Sequence, residues 1–172
     1  MAIETFKGIK PQIDPSVYVH ETAVIIGDVT IKEDCSIWPY AVIRGDVAPI
    51  VIDAQTNIQE HVMIHADAGN SVRIGKRVTI GHHALVHGVT IEDEVLVGMD
   101  SVLLDNSIIK KHSLIGAQAL VIARTVIPEQ SLVLGSPAKV VIALNATQVQ
   151  GILDSAQAYV DLKNIMKKEQ HD

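Results

Sequence analysis

The chain has 172 residues, a formal net charge of −6 and only 3% aromatic residues. This length predicts one domain with at most a short accessory segment. The acidic balance, without a run of lysine or arginine, argues against nucleic acid as a partner, and a single cysteine excludes a disulfide framework. No stretch approaches the roughly 20 apolar residues of a membrane span, and the first residues lack the apolar core of a secretory signal, so we expect a cytoplasmic protein.

A six-residue repeat begins at Val19 and runs to Val133, with an aliphatic residue at its first position and a small or short residue four positions later. This period predicts a parallel β-helix, in which three hexads form one triangular coil and the coils stack at about 4.8 Å. A narrow prism admits valine, isoleucine and alanine more easily than rings, which agrees with the composition. Repeats of this form resemble the left-handed β-helix family, which implies an all-β, left-handed coil.

Three segments follow one another in chain order: an N-terminal segment at 1–18, the hexapeptide-repeat β-helix at 19–140, and a C-terminal α-helix with its tail at 141–172. Within the repeat, VAPIV at 47–51 and ADAGNSVR at 66–73 interrupt the spacing and are expected to be loops. Thr147 can cap the C-terminal helix. The apolar face of that helix is expected to carry Val149, Ile152, Leu153, Ala156, Tyr159, Val160 and Met166.

Counting hexads rather than residues places three aliphatic residues on the same face of consecutive coils. The residues directly after them, Arg44, His65 and His87, should therefore form a ladder with parallel side chains. Two imidazoles one strand spacing apart can both reach one metal ion, because metal–nitrogen bonds are about 2.0–2.1 Å long. The histidines expected to be merely solvated are His20, His61, His83, His112 and His171.

His82 comes two residues after the aliphatic of its own hexad, at a corner on a different face. It cannot easily join the ladder within one chain. Three prisms packed around a threefold axis would supply it from a neighbouring chain and would create three equivalent sites. Glu60 occupies the same position one coil earlier and is well placed to orient His82. The sequence therefore predicts a homotrimer with metal at its subunit interfaces.

Three stretches, IRGD at 43–46, NIQEHVMIH at 57–65 and GHHALVHG at 81–88, resemble the signature of the gamma-class carbonic anhydrases and their close relatives. The resemblance covers nearly the whole chain, and it implies reversible hydration of CO2 to bicarbonate by metal-bound hydroxide. It also implies that His65 and His87 of one subunit and His82 of the next bind Zn²⁺, with Fe²⁺ or Co²⁺ as possible substitutes.

The same resemblance assigns roles around the metal. Arg44 and Asp46 would hold the subunit interface by a salt bridge, Gln59 would hydrogen-bond the hydroxide, and Tyr159 would approach the site from the C-terminal helix. The implied enzyme is a carbonate dehydratase, a lyase.

The chain departs from the best-understood members at the proton shuttle. Those members carry an acidic residue directly after RGD and a longer acidic loop, whereas this chain has Val47 and the short ADAGN at 66–70. Asp67 or Glu60 would have to replace the shuttle. We therefore expect turnover that is slow, buffer-dependent or absent.

Two other functions stay open. A hexapeptide acyltransferase would use a CoA thioester and a single histidine as general base, but it usually carries an excursion loop and a substrate domain. A non-catalytic or thioesterase-like accessory protein of CoA metabolism would also bear a metal. Metal content does not separate the latter from an anhydrase, whereas CO2 hydration does.

Overall fold

The computed structural model describes residues 2–169 as a parallel β-helix followed by one α-helix, α1 (Ala146–Glu169). The strands are β1 (Ala2–Glu4), β2 (Gln12–Ile13), β3 (Tyr18–Val19), β4 (Val24–Ile31), β5 (Ser36–Ile37), β6 (Val42–Ile52), β7 (Asn57–Ile58), β8 (Met63–His65), β9 (Val72–Ile74), β10 (Thr79–Ile80), β11 (Leu85–His87), β12 (Thr90–Ile91), β13 (Leu96–Val97), β14 (Val102–Leu103), β15 (Ile108–Ile109), β16 (Leu114–Ile115), β17 (Leu120–Val121), β18 (Val126–Ile127), β19 (Ser131–Leu134) and β20 (Lys139–Ala143). The predicted β-helix with a C-terminal helix is confirmed.

The strands stack as parallel ladders along the prism. One ladder runs β3–β5–β7–β10–β13–β16–β19, which corresponds to about seven coils. Each of its strands turns one aliphatic residue inward, and Ile37, Ile58 and Ile80 are fully buried in register with one another. Burying such a side chain contributes about 1.5–3 kcal/mol. The inward column therefore forms one continuous core that holds the outward residues in fixed positions.

Two outer faces of the prism matter for function. The ladder face is formed by β8, β11, β14, β17 and the first part of β6. The helix face is formed by the strands that α1 contacts, namely β3, β5, β7 and β10, and by the strands beyond them. Within residues 2–169, α1 is not apolar enough over a sufficient length to cross a membrane.

The corners of the coils are built from residues in the left-handed region of φ, which is uncommon outside glycine. Tyr40, His61 and His83 have φ of 61°, 59° and 62° and stack along one corner, with ring centroids 5.0 and 4.9 Å apart. His61 and His83 are exposed, as expected. The other three histidines of that group differ from one another: His20 is half-buried beside Thr22, His112 is half-buried beside Glu94, and His171 lies outside the described residues.

The expected N-terminal segment contributes two strands, β1 and β2, to a sheet of the β-helix. β1 pairs in parallel with Val24–Ile26 of β4, and β2 pairs with the end of the same strand. The inward positions Ile3 and Ile13 are ten positions apart along the chain, and a turn closed by Phe6 and Ile9 lies between them. Because this spacing is not six, the repeat is not visible there in the sequence.

The expected loop at 47–51 is wrong, because these residues continue strand β6. β6 and β4 run side by side, with an irregularity between Gly27 and Val29. A side chain at Gly27 would lie 2.5 Å from the carbonyl oxygen of Gly45, so glycine permits the two long strands to approach here. The second insertion is irregular only at 66–71, since Val72 and Arg73 already belong to β9.

The predicted helix cap, Thr147, is also wrong, because it lies inside α1. Asn145 caps the helix: the Gln148 N–H donates to Asn145 Oδ1 at 3.0 Å, and the Asn145 N–H donates to Gln148 Oε1 at 2.9 Å. This reciprocal pair satisfies two backbone donors at the helix start. The exit from the repeat also forms a strand that the sequence did not predict, β20, which pairs antiparallel with β19.

The apolar face of α1 packs as expected, with Ile152 and Ala156 fully buried. Lys163 is buried on the same face, and its Nζ lies 2.7 Å from Asp34 Oδ1. The ion pair ties the end of the chain to its first coils. A lysine is usually exposed, so this contact could not be predicted from the sequence.

Candidate metal centre

The predicted ladder of Arg44, His65 and His87 is present on the ladder face. Arg44 is the direct strand partner of His65, and His65 is the partner of His87. His65 Nδ1 and His87 Nε2 lie 3.1 Å apart. Two nitrogens that each lie about 2.0–2.1 Å from a tetrahedral ion are roughly 3.4 Å apart, so this spacing fits a shared divalent ion.

Asp105, which was not predicted from the sequence, lies directly behind His87. Its Oδ1 accepts a hydrogen bond from His87 Nδ1 at 2.9 Å, so the nitrogen of His87 that remains for a metal is Nε2, which faces His65. Gly88 has a φ of 58°, and a side chain there would collide with the Asp105 carboxylate. Counting hexads could have found this contact. Leu103 is the aliphatic that pairs with Val86 on the next coil, and Asp105 comes two residues after it.

Asp46 plays the corresponding part for His65. Its Oδ1 lies 3.0 Å from His65 Nε2, and its other oxygen pairs with Arg44 of the same chain. Burial alone would raise the pKa of Asp46, but hydrogen bonds from His65 and Arg44 outweigh it and lower that pKa. Arg44 thus holds an ionised carboxylate against His65.

His82 lies apart from the ladder, and its side chain is 42% exposed. Its Nδ1 lies 2.6 Å from Glu60 Oε2, as the equivalent positions of the two residues on adjacent coils predicted. Gln59 is buried, and its Oε1 accepts from the His82 backbone N–H at 3.1 Å, while its Nε2 donates to Asn57 at 3.1 Å. Gln59 and Glu60 therefore fix both the backbone and the ring of His82.

Tyr159 of α1 faces the same corner. With His82 and Gln59 it lines a groove of about 340 Å³ whose other walls are largely apolar. The Tyr159 ring packs edge-on against Trp38 at 5.6 Å. Burial, and to a smaller extent the charge of Glu60, raise the pKa of Tyr159, so its phenol stays protonated at neutral pH.

A third side chain converges with the two ladder imidazoles. Within residues 2–169, ligand atoms of His65, Asp67 and His87 all lie within 4.8 Å of one another, and His82 is not part of this group. The expected separation between the ladder and the His82 corner is therefore present in the single chain. Two imidazoles and a carboxylate form a donor set that suits a divalent transition metal or zinc.

Comparisons with known proteins agree with the fold and the motifs. The six-repeat model of the bacterial transferase hexapeptide family matches residues 10–45. A probable carbonic anhydrase from Methanocaldococcus jannaschii is 43% identical over 155 residues, which is 90% of this chain and 98% of that protein. Gamma carbonic anhydrase 2, mitochondrial, from Arabidopsis thaliana is 38% identical over 92% of this chain, which spans 59% of that relative's length.

Solved structures give the same architecture. A protein from Bacillus cereus, solved as a candidate acetyltransferase, superposes with a TM-score of 0.95 at 33% identity, and the match covers 97% of both chains. Two of these similar proteins are named as carbonic anhydrases and one as a candidate acetyltransferase. The residues of the site itself are therefore needed to choose between these two chemistries.

Proposed function

The chain belongs to the gamma carbonic anhydrase family, and we propose that it is a metal-dependent carbonate dehydratase, a lyase that hydrates CO2 reversibly to bicarbonate. One observation carries the proposal: His65 and His87 stand in register on adjacent strands with ring nitrogens 3.1 Å apart. A carboxylate hydrogen-bonds the other nitrogen of each ring. Such backing fixes the tautomer and the orientation of a metal-binding imidazole.

The third imidazole of the proposed site is His82 of a neighbouring subunit. In support, His82 is outside the converging group in its own chain, yet Glu60 holds its Nδ1 in the way that Asp105 holds that of His87. A closed threefold ring would supply one such histidine to every ladder. The proposed assembly is therefore a homotrimer with one metal at each interface.

Zn²⁺ is the proposed ion, with Fe²⁺ or Co²⁺ as substitutes, and when bound by three neutral imidazoles it lowers the pKa of a coordinated water to about 7 and so supplies hydroxide at neutral pH. The protein's part is to hold each imidazole so that one ring nitrogen faces the ion. Glu60 and Asp105 accept the Nδ1–H groups of His82 and His87, which directs the Nε2 lone pairs outward.

The groove beside His82 is the proposed binding site for CO2 and bicarbonate. Its apolar walls favour an apolar molecule such as CO2 over water. The protonated Tyr159 phenol can donate a hydrogen bond to an oxygen of bicarbonate. Gln59 has one N–H and one lone pair left after its bonds to Asn57 and His82, and these can orient the reacting oxygen.

Stopped-flow CO2 hydration tests this proposal on protein loaded with zinc, cobalt or iron. We expect hydration above background that is lost in His82→Ala and retained in the matched variant His83→Ala, because His83 is exposed at the corner and outside the proposed ligand set. Acetyl-CoA hydrolysis and acetyl transfer are measured on the same preparations. If all three metal forms fail to hydrate CO2 at every imidazole buffer concentration, the anhydrase proposal fails and a metal-bearing accessory function takes its place.

A further inference from the structure

We infer that Asp67 is a further metal ligand, so that one chain alone supplies a set of two histidines and one carboxylate, and His82 of the partner subunit adds to it. The inference rests on the proposed function, since it concerns the metal of the same centre. Until this point Asp67 has been considered only as a replacement for the missing proton shuttle, at a position that does not match the family's.

The position of Asp67 follows from the strand before it. Asp67 is two residues after His65, and the side chains of residues i and i+2 along an extended chain point to the same side. Ala66, between them, is buried and turns inward. The Asp67 carboxylate consequently lies beside the ladder, with ligand atoms of Asp67, His65 and His87 within 4.8 Å of one another.

Asp67 differs from the surrounding carboxylates in its hydrogen bonds. Asp46, Glu60 and Asp105 each bond one ring nitrogen of a histidine. Asp67 is exposed, and its carboxylate makes no hydrogen bond or ion pair with any other side chain or backbone group in the stretch 2–169. Both of its oxygens therefore remain available to an ion held by the ladder imidazoles.

This ligand set has chemical consequences. Two histidines and one carboxylate leave positions open on a divalent ion and are the ligands of many non-haem Fe²⁺ centres. The carboxylate also offsets one of the two positive charges, which strengthens binding. A single chain can therefore capture the metal before the trimer forms. His82 of the partner subunit would then add a fourth protein ligand, and an ion that expands to five-coordinate would keep one position for water.

The experiment measures zinc affinity by competition with a chromophoric chelator. We expect Asp67→Asn to weaken zinc binding by at least about tenfold, the lower end of what even outer-shell partners cost. The matched control Asp100→Asn removes one charge from another exposed aspartate, outside the ligand group, and should leave the affinity unchanged. Far-UV circular dichroism should be unaltered in both variants, because neither side chain is buried.

A second pair of variants tests whether the ligands of one chain hold zinc without His82. His82→Ala should still bind one zinc per chain, more weakly than the natural protein, and His82→Ala/Asp67→Asn should lose it. Cobalt-loaded Asp67→Asn should differ from cobalt-loaded natural protein in its visible absorption, because the coordination changes.

Equal zinc affinities for Asp67→Asn and the natural protein overturn the inference and leave the three-histidine proposal standing. Equal affinities for His82→Ala and the double variant overturn it in the same way. Failure of the natural protein to bind zinc at all overturns the proposed function as well, so the two failures are distinguishable.

Discussion

The ladder face carries two regions that share one geometry and differ in chemistry. In its central coils the residues that follow the inward aliphatics are Arg44, His65 and His87, whereas in its last coils the residues at the same position are Leu104 and Ile122. The inward residues hardly differ, because they are aliphatic and buried in every coil. The repeat thus sets where a side chain stands, and only the outward residue decides whether the coil does chemistry.

The largest effect should come from the outward residues of the central coils. His65→Ala or His87→Ala removes one of the two ladder imidazoles, and zinc affinity should fall by more than the roughly 100-fold that outer-shell changes cost. Ile122→Ala, at the same position in the last coils, should leave zinc content unchanged. Metal analysis after dialysis against a chelator measures this, and zinc retained in both histidine variants would contradict the separation.

The inward residues should behave alike in both regions. Ile64→Ala and Leu103→Ala each empty a fully buried position, and each should lower the free energy of unfolding by about 2–5 kcal/mol. Denaturant titration of metal-free protein measures this without a contribution from bound ion. A much larger loss for Ile64→Ala alone would mean that the central coils also differ in their core.

The hydrogen bond that His87 donates to Asp105 joins the two regions, because Asp105 follows β14, the first strand of the last coils. Asp105→Ala should weaken zinc binding by about 10–100-fold, because His87 loses the acceptor that fixes its tautomer. Asp105→Asn should recover part of this loss, since an amide oxygen still accepts the Nδ1–H. If alanine and asparagine give the same affinity as the natural protein, the carboxylate does not orient His87.

The smallest effect should come from the helix that covers the other face. Asn145→Ala removes the side-chain acceptor for the Gln148 N–H and should lower the free energy of unfolding by about 1 kcal/mol. Thr147→Ala, inside the helix, should cost less. Equal losses in the two variants, measured by denaturant titration, would show that Asn145 does not act as the cap.

The repeat explains how much of this structure the sequence predicts. A six-residue period fixes the inward column, and counting hexads is then enough to bring Arg44, His65 and His87 together across an insertion. The same count places Glu60 beside His82. These predictions succeed because in a β-helix the distance between two residues depends on the number of coils between them.

The remaining features depend on contacts that the period does not encode. The continuation of β6 through 47–51 depends on the close approach of Gly27 to Gly45. The choice of Asn145 over Thr147 depends on where the chain leaves the last coil, since both residue types can cap a helix. The free carboxylate of Asp67 becomes evident only when the partners of the other three carboxylates are known.

Mixing two complementary variants tests the claim that the metal lies between chains. His82→Ala keeps an intact ladder, and His65→Ala/His87→Ala keeps an intact corner, so neither variant alone can form the complete site. In randomly mixed trimers about one interface in four should join an intact ladder to an intact corner. Co-expressed chains should therefore retain zinc, against a chelator that strips both parents, at about a quarter of the interfaces. Retention no higher than that of either parent would contradict the claim.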